Sequence, residues 1–141
     1  MRKHEACGAA AEVVGRPRRN ACGYTPSEEI ANAITHGLAA ALSIAGLVVL
    51  VVSSVTHDRS PLVIASAAVF GASMIVLYLI STLYHALPYA RAKRVLQVLD
   101  HSAIYLLIAG SYTPFCLVTL GGTTGTVLCV VVWTIGLAGL L

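Results

Sequence analysis

Four apolar runs separated by three short polar breaks set out the chain. The runs from Ile34 to Thr56, Pro61 to Leu83 and Leu99 to Leu120 are each as long as the roughly 20 residues of helix needed to cross a bilayer. A fourth run begins at Thr126 and continues to Leu141, with Trp133 in its interior. The pattern predicts an all-α integral membrane protein with about four transmembrane helices. Ahead of the first run, Thr25-Pro26-Ser27-Glu28-Glu29 reads as a helix start, with Ser27 placed to cap. The two carboxylates then complement the helix dipole in the first turn. Gly37, Ala41 and Ala45 recur every four residues, and Ser66, Gly71, Ala72 and Ser73 supply small positions in the second run. Such spacing suits close helix approach, within one chain or between copies. Pro88 is expected to end the second helix, and Tyr89 to Arg94 to form a basic loop. Pro114 interrupts the third run, depriving the Gly110 carbonyl of its usual partner and bending the helix.

Composition agrees with this pattern. Of 141 residues, 57% are hydrophobic and 11% charged, where a soluble domain carries about 25% charged residues. Arg2, Lys3, Arg16, Arg18 and Arg19 precede the first run, and Arg91, Lys93 and Arg94 share the second break. The first break holds only Arg59, beside Asp58, and the third holds no charge. The net charge of +3 therefore reports on topology and gives no support for a nucleic-acid partner. By the positive-inside rule the N-terminus and the 89–94 break face the cytoplasm of a plasma-membrane protein. Residues 1–27 lack the apolar centre of a signal peptide and are expected to form a disordered cytosolic leader, with residues 28–141 the transmembrane domain. Cys7, Cys22, Cys116 and Cys129 form no CxxC pair, which suggests neither a zinc ribbon nor a redox centre.

The topology gathers polar side chains at one end of the helices. Glu28, Glu29, Asn32, His36, Ser81, His85, Asp100 and His101 all fall at cytoplasmic helix ends, at similar depth. Glu29, Asn32 and His36 share a helical face at i, i+3 and i+7, as do Tyr78, Ser81 and His85. Polar groups against lipid are costly, about 2.5–3.5 kcal/mol for an aspartate at a helix centre. Two readings stand beside each other. Asp100 is either the N-cap of the third helix or a carboxylate behind a metal-bound imidazole or water. His85 is either an interfacial anchor after Tyr84 or a ligand. Spacing offers no ligand pair at i, i+4, and a catalytic zinc needs at least three protein ligands.

Three segments carry a resemblance. They are Glu28-Glu29-Ile30-Ala31-Asn32-Ala33-Ile34-Thr35-His36-Gly37, then Ser81-Thr82-Leu83-Tyr84-His85, then the stretch from Leu99-Asp100-His101-Ser102 to Gly110-Ser111-Tyr112-Thr113-Pro114. In this order they resemble the haemolysin III family, the bacterial branch of the progestin and adiponectin receptor superfamily. The resemblance implies that the helices match the first four of a seven-helix fold. It also implies a zinc-dependent hydrolase of lipid amides or esters, with zinc near the cytoplasmic face and membrane lipids as partners. His85 matches the family's first zinc ligand, Ser81 its serine and Asp100 its aspartate, the latter two as catalytic groups. Glu29, Asn32, His36 and His101 make up a supporting polar layer. The family's remaining two ligands, an HxxxH pair in the seventh helix, have no counterpart in these 141 residues, so the chain resembles an N-terminal fragment, inactive alone. The family's name implies a different activity, membrane damage by pore formation; a non-enzymatic role in membrane-lipid homeostasis is the third reading.

Overall fold

The computed structural model describes residue 19 and residues 23–139. Most of the expected leader, including Cys7 and Cys22, lies outside the described residues. The described chain consists of α1 (Pro26–Thr56), α2 (Pro61–Ala86), α3 (Ala90–Pro114), a π-helical segment (Phe115–Leu120) and α4 (Gly122–Ala138). α1 packs on α2, α2 on α3, and α3 on α4. Short connections make successive helices antiparallel, so the start of α1, the end of α2 and the start of α3 meet at one end.

α1 is capped two residues before the expected position. Thr25 is the N-cap: its Oγ1 accepts from the Glu28 N–H at 3.3 Å, while its own N–H donates to Glu28 Oε2 at 2.7 Å. This reciprocal capping box satisfies two groups that a cap at Ser27 would leave to water, and Pro26 fits the first helical position, where no N–H is needed. At 31 residues, α1 is about 46 Å long, well beyond a hydrocarbon core of about 30 Å. Its opening turns therefore have room to reach into the headgroup region.

α3 also begins earlier than expected. The segment 90–98 is a run of good helix formers, and it is helical rather than a basic loop. Arg91, Lys93 and Arg94 accordingly ride on the first turns of α3, and Asp100 lies well inside the helix, which removes its capping role. At Pro114 the helix changes type instead of breaking, and the six-residue π segment closes with the Gly121 N–H donating to Cys116 O at 3.0 Å. Gly121 and Gly122, both at positive φ, turn the chain into α4.

Three helical stretches are long and apolar enough to cross a membrane: Pro26–Thr56, Pro61–Ala86 and Ala90–Leu120. The expected fourth span is α4, apolar but only 17 residues long among the described residues. The helices meet through small side chains. Ala40, Ser43, Ser66, Ser73, Ala103, Ala109 and Thr113 are buried, whereas Ile34 and Val49 are 65% and 66% exposed. That inversion suits lipid around the outside and tight helix contact within. The contact row on α1 runs through Ala40 and Ser43, while Ala41 and Ala45 face outward, as does Ala72 on α2. Gly71 lies against Leu47, and Gly110 against Ser73. Buried hydroxyls return to their own helices: Ser43 to Ala39 O, Ser66 to Leu62 O and Thr113 to Ala109 O, at 2.7–2.9 Å.

Candidate functional site

The three helix ends that meet carry one carboxylate, one imidazole and one ammonium in direct contact. Glu29, on the first turn of α1, lies 2.7 Å through Oε2 from His85 Nδ1 at the end of α2. Its Oε1 lies 2.6 Å from Lys93 Nζ on the first turns of α3. The side chains of His85, Glu29 and Lys93 are 6%, 11% and 12% exposed, so water screens these contacts little. A carboxylate already paired to a lysine is an acceptor only, so His85 donates its Nδ1–H. That leaves Nε2 as the imidazole atom able to bind a metal or accept a proton.

Aromatic rings enclose the imidazole. Tyr24, just ahead of α1, meets His85 edge-on at 5.4 Å between centroids, and Tyr84 lies tilted at 4.7 Å. His36 stacks nearly parallel to His85 at 5.8 Å and also contacts Tyr78 at 6.0 Å. Lys93 Nζ sits 5.2 Å from the centre of the Tyr84 ring, a cation–π contact that adds to its ion pair. A groove of about 480 Å³ opens beside this cluster, lined among others by Tyr24, Glu29, Ile30, His85, Leu87 and Lys93. Its size falls within the range of small-ligand clefts.

The residues singled out by sequence divide into those at the cluster and those apart from it. Glu29, His36 and His85 come together. Ser81 is buried one turn before His85 on α2, and Asn32 is half-buried one turn after Glu29 on α1. Asp100 is half-buried and seven residues beyond Lys93 on α3, hence on the same face and about 10 Å along the axis. No hydrogen bond joins Ser81 or Asp100 to His85 among the described residues. His101 stands apart: it is exposed, and its Nδ1–H donates to Gln97 O at 2.7 Å. Lys93, Tyr24 and Tyr84 join the cluster although the sequence pattern does not single them out. For Lys93 the available signal was its place seven residues before Asp100, one helical face carrying both charges.

No group of three His, Cys, Asp or Glu side chains converges on a possible metal position among the described residues. The donor set fits zinc in one respect. His85 has a carboxylate partner on Nδ1, as metal-binding imidazoles typically do, and its Nε2 is placed for a ligand.

Long apolar helices, cores of small residues and a buried Glu–His–Lys cluster at the helix ends define an all-α membrane protein with a polar site at one end of its helices. The family model described as Haemolysin-III related matches residues 24–141. The chain is 48% identical over 114 residues to Hemolysin-3 of Bacillus cereus, covering 81% of this chain and 52% of that protein. It is 49% identical over 118 residues to a Hemolysin-3 homolog of Bacillus subtilis, covering 84% of this chain and 55% of that one. The chain belongs to the haemolysin III family, and it spans about half the length of the curated relatives it matches. No solved structure matches it.

Proposed function

We propose that these helices form the first half of a zinc-dependent hydrolase of lipid amides or esters, with His85 supplying one zinc ligand. The observation that carries this reading is the Glu29–His85 bond, which occupies Nδ1 and leaves Nε2 for the metal. The remaining ligands would come from outside the described residues. Bound zinc would supply Lewis-acid activation, lowering the pKa of a water toward ~7. Ser81 and Asp100 would orient that water or stabilise charge developing on the scissile carbonyl. Asn32 and His36 would back the site from α1, and the groove beside His85 would admit a lipid headgroup. Eight of the nine basic residues lie before α1 or at the start of α3, which supports a cytoplasmic N-terminus in the plasma membrane.

The test is a full-length chimera in which residues 24–139 replace the matching segment of the Bacillus subtilis relative. The chimera is expected to bind about one zinc per chain, as a catalytic site with three protein ligands does, and His85→Ala to abolish it. A chimera purified without zinc yet able to release fatty acid would overturn the reading, as would zinc retained after His85→Ala. The names of the relatives favour a second activity, membrane damage. Dye release from liposomes at low protein load would support it over hydrolysis, and intact liposomes at high load would reject it.

A further inference from the structure

Lys93 is in an unexpected place. It lies on the first turns of α3, where backbone N–H groups already make the field positive and a cation is disfavoured, and that first turn contains no acidic residue. Its side chain is nevertheless only 12% exposed. α1 and α3 do not pack on one another, since each packs on α2, yet Lys93 reaches across to Glu29 on α1 and rests over Tyr84 on α2. A lysine on helix-opening turns ordinarily extends its ammonium into water.

The consequence falls on Glu29. A carboxylate turns about a broad terminal torsion, so a contact that fixes one oxygen also helps set where the other points. With Oε1 fixed on Lys93 at 2.6 Å, Oε2 is fixed on His85 at 2.7 Å. We propose that Lys93 is a positioning residue for His85. Its grip on Glu29 locks the imidazole as the Nδ1–H tautomer, so that Nε2 is the one nitrogen left to bind a ligand. The lock stands on the geometry alone, and its use for zinc rests on the hydrolase reading above.

Two measurements separate these claims. In the 141-residue chain held in lipid nanodiscs, the imidazole nitrogen shifts of His85, assigned by loss of signal in His85→Gln, are expected to show a single Nδ1–H tautomer in alkaline buffer. Lys93→Met should collapse the two shifts toward their average while helical content stays intact, and Lys93→Arg should restore them. In the chimera, Lys93→Met should weaken zinc binding by about 10-fold or more, the scale typical of groups behind a metal ligand, and Lys93→Arg should recover most of it. An Nε2–H tautomer in the unaltered chain, or a tautomer that Lys93→Met leaves unchanged, overturns the positioning role. Should Lys93→Met fail to fold, Glu29→Gln keeps a neutral acceptor at His85 but no ion pair; an unchanged tautomer there counts equally against the role of Lys93. A fixed tautomer in a chimera that binds no zinc leaves the positioning role standing and removes the hydrolase reading.

Discussion

Replacing Glu29 by alanine strips the acceptor from two buried donors at once, and its cost can be worked from the contacts. Hydrogen bonds to charged groups contribute about 1.5–3 kcal/mol each, and the Glu29 contacts to His85 and Lys93 are such bonds, at 2.7 and 2.6 Å. That sets an upper range of about 3–6 kcal/mol. Part of it is recovered, because Lys93 stands at the opening of α3 and can extend toward headgroup water once released. His85 is less free to move, being packed against Tyr24, His36 and Tyr84. A loss of about 3 kcal/mol is expected, in line with breaking a buried ion pair by removing one partner. The assay is equilibrium unfolding in mixed micelles, followed by helical ellipticity and by Trp133, the single tryptophan. A double-mutant cycle with Lys93→Met should return a coupling of about 1–3 kcal/mol. A loss below about 1 kcal/mol, or no coupling, would refute the claim that the three residues act as one buried unit.

Two further substitutions address the corner between α3 and α4. A Cβ at Gly125 would collide with the Cys116 carbonyl, which is fixed by its bond to the Gly121 N–H. Gly125→Ala should therefore cost about 3 kcal/mol, the upper end for overpacking, while Gly46→Ala, which meets open space, should stabilise by about 0.5–1 kcal/mol. Equal effects of the two in thermal unfolding would contradict the packing described. Trp133 Nε1–H donates to Thr113 Oγ1 at 3.0 Å; Trp133→Phe should cost about 1 kcal/mol, read by ellipticity because the fluorophore is gone.

The apolar runs made the membrane helices readable because a bilayer demands long uninterrupted apolar segments and little else does. Their ends were harder to read. The charges of Arg91, Lys93 and Arg94 suggest a solvated loop, yet alanine, arginine and lysine are strong helix formers. The cap at Thr25 was displaced to Ser27 because a capping box depends on a residue three positions on, and Glu28 answers Thr25. Of the small-residue stripe, Gly37 does lie against Thr82 on α2, whereas Ala40 and Ser43 take the contact in place of Ala41 and Ala45, since composition does not distinguish Ala40 from Ala41 and only the partner helix selects between them. The meeting of Glu29 with His85 joins residues 56 positions apart. Sequence placed both at one end of the bundle, but nothing in it specified the bond.

The polar residues do not form one flat layer, and their order in depth matters to the chemistry. Glu29, His85 and Lys93 mark the end of the bundle where α1 and α3 begin and α2 finishes. Because α2 runs toward that end, Ser81 lies about 6 Å deeper than His85. Because α1 and α3 run away from it, His36 and Asp100 lie about 10 Å further along their axes than Glu29 and Lys93. The charged pair that holds the imidazole thus sits on the water side, and the hydroxyl and aspartate sit on the lipid side. In the proposed hydrolase this order separates two tasks. The shallow groups fix His85 near water, where an ion pair costs least desolvation. The deeper Ser81 and Asp100 stand where a lipid carbonyl, tethered by its acyl chain, can reach. Asp100 in the interior of α3 would be hard to explain as a cap or an anchor, because a carboxylate is tolerated at that depth chiefly where it faces other polar groups or a water-filled cleft.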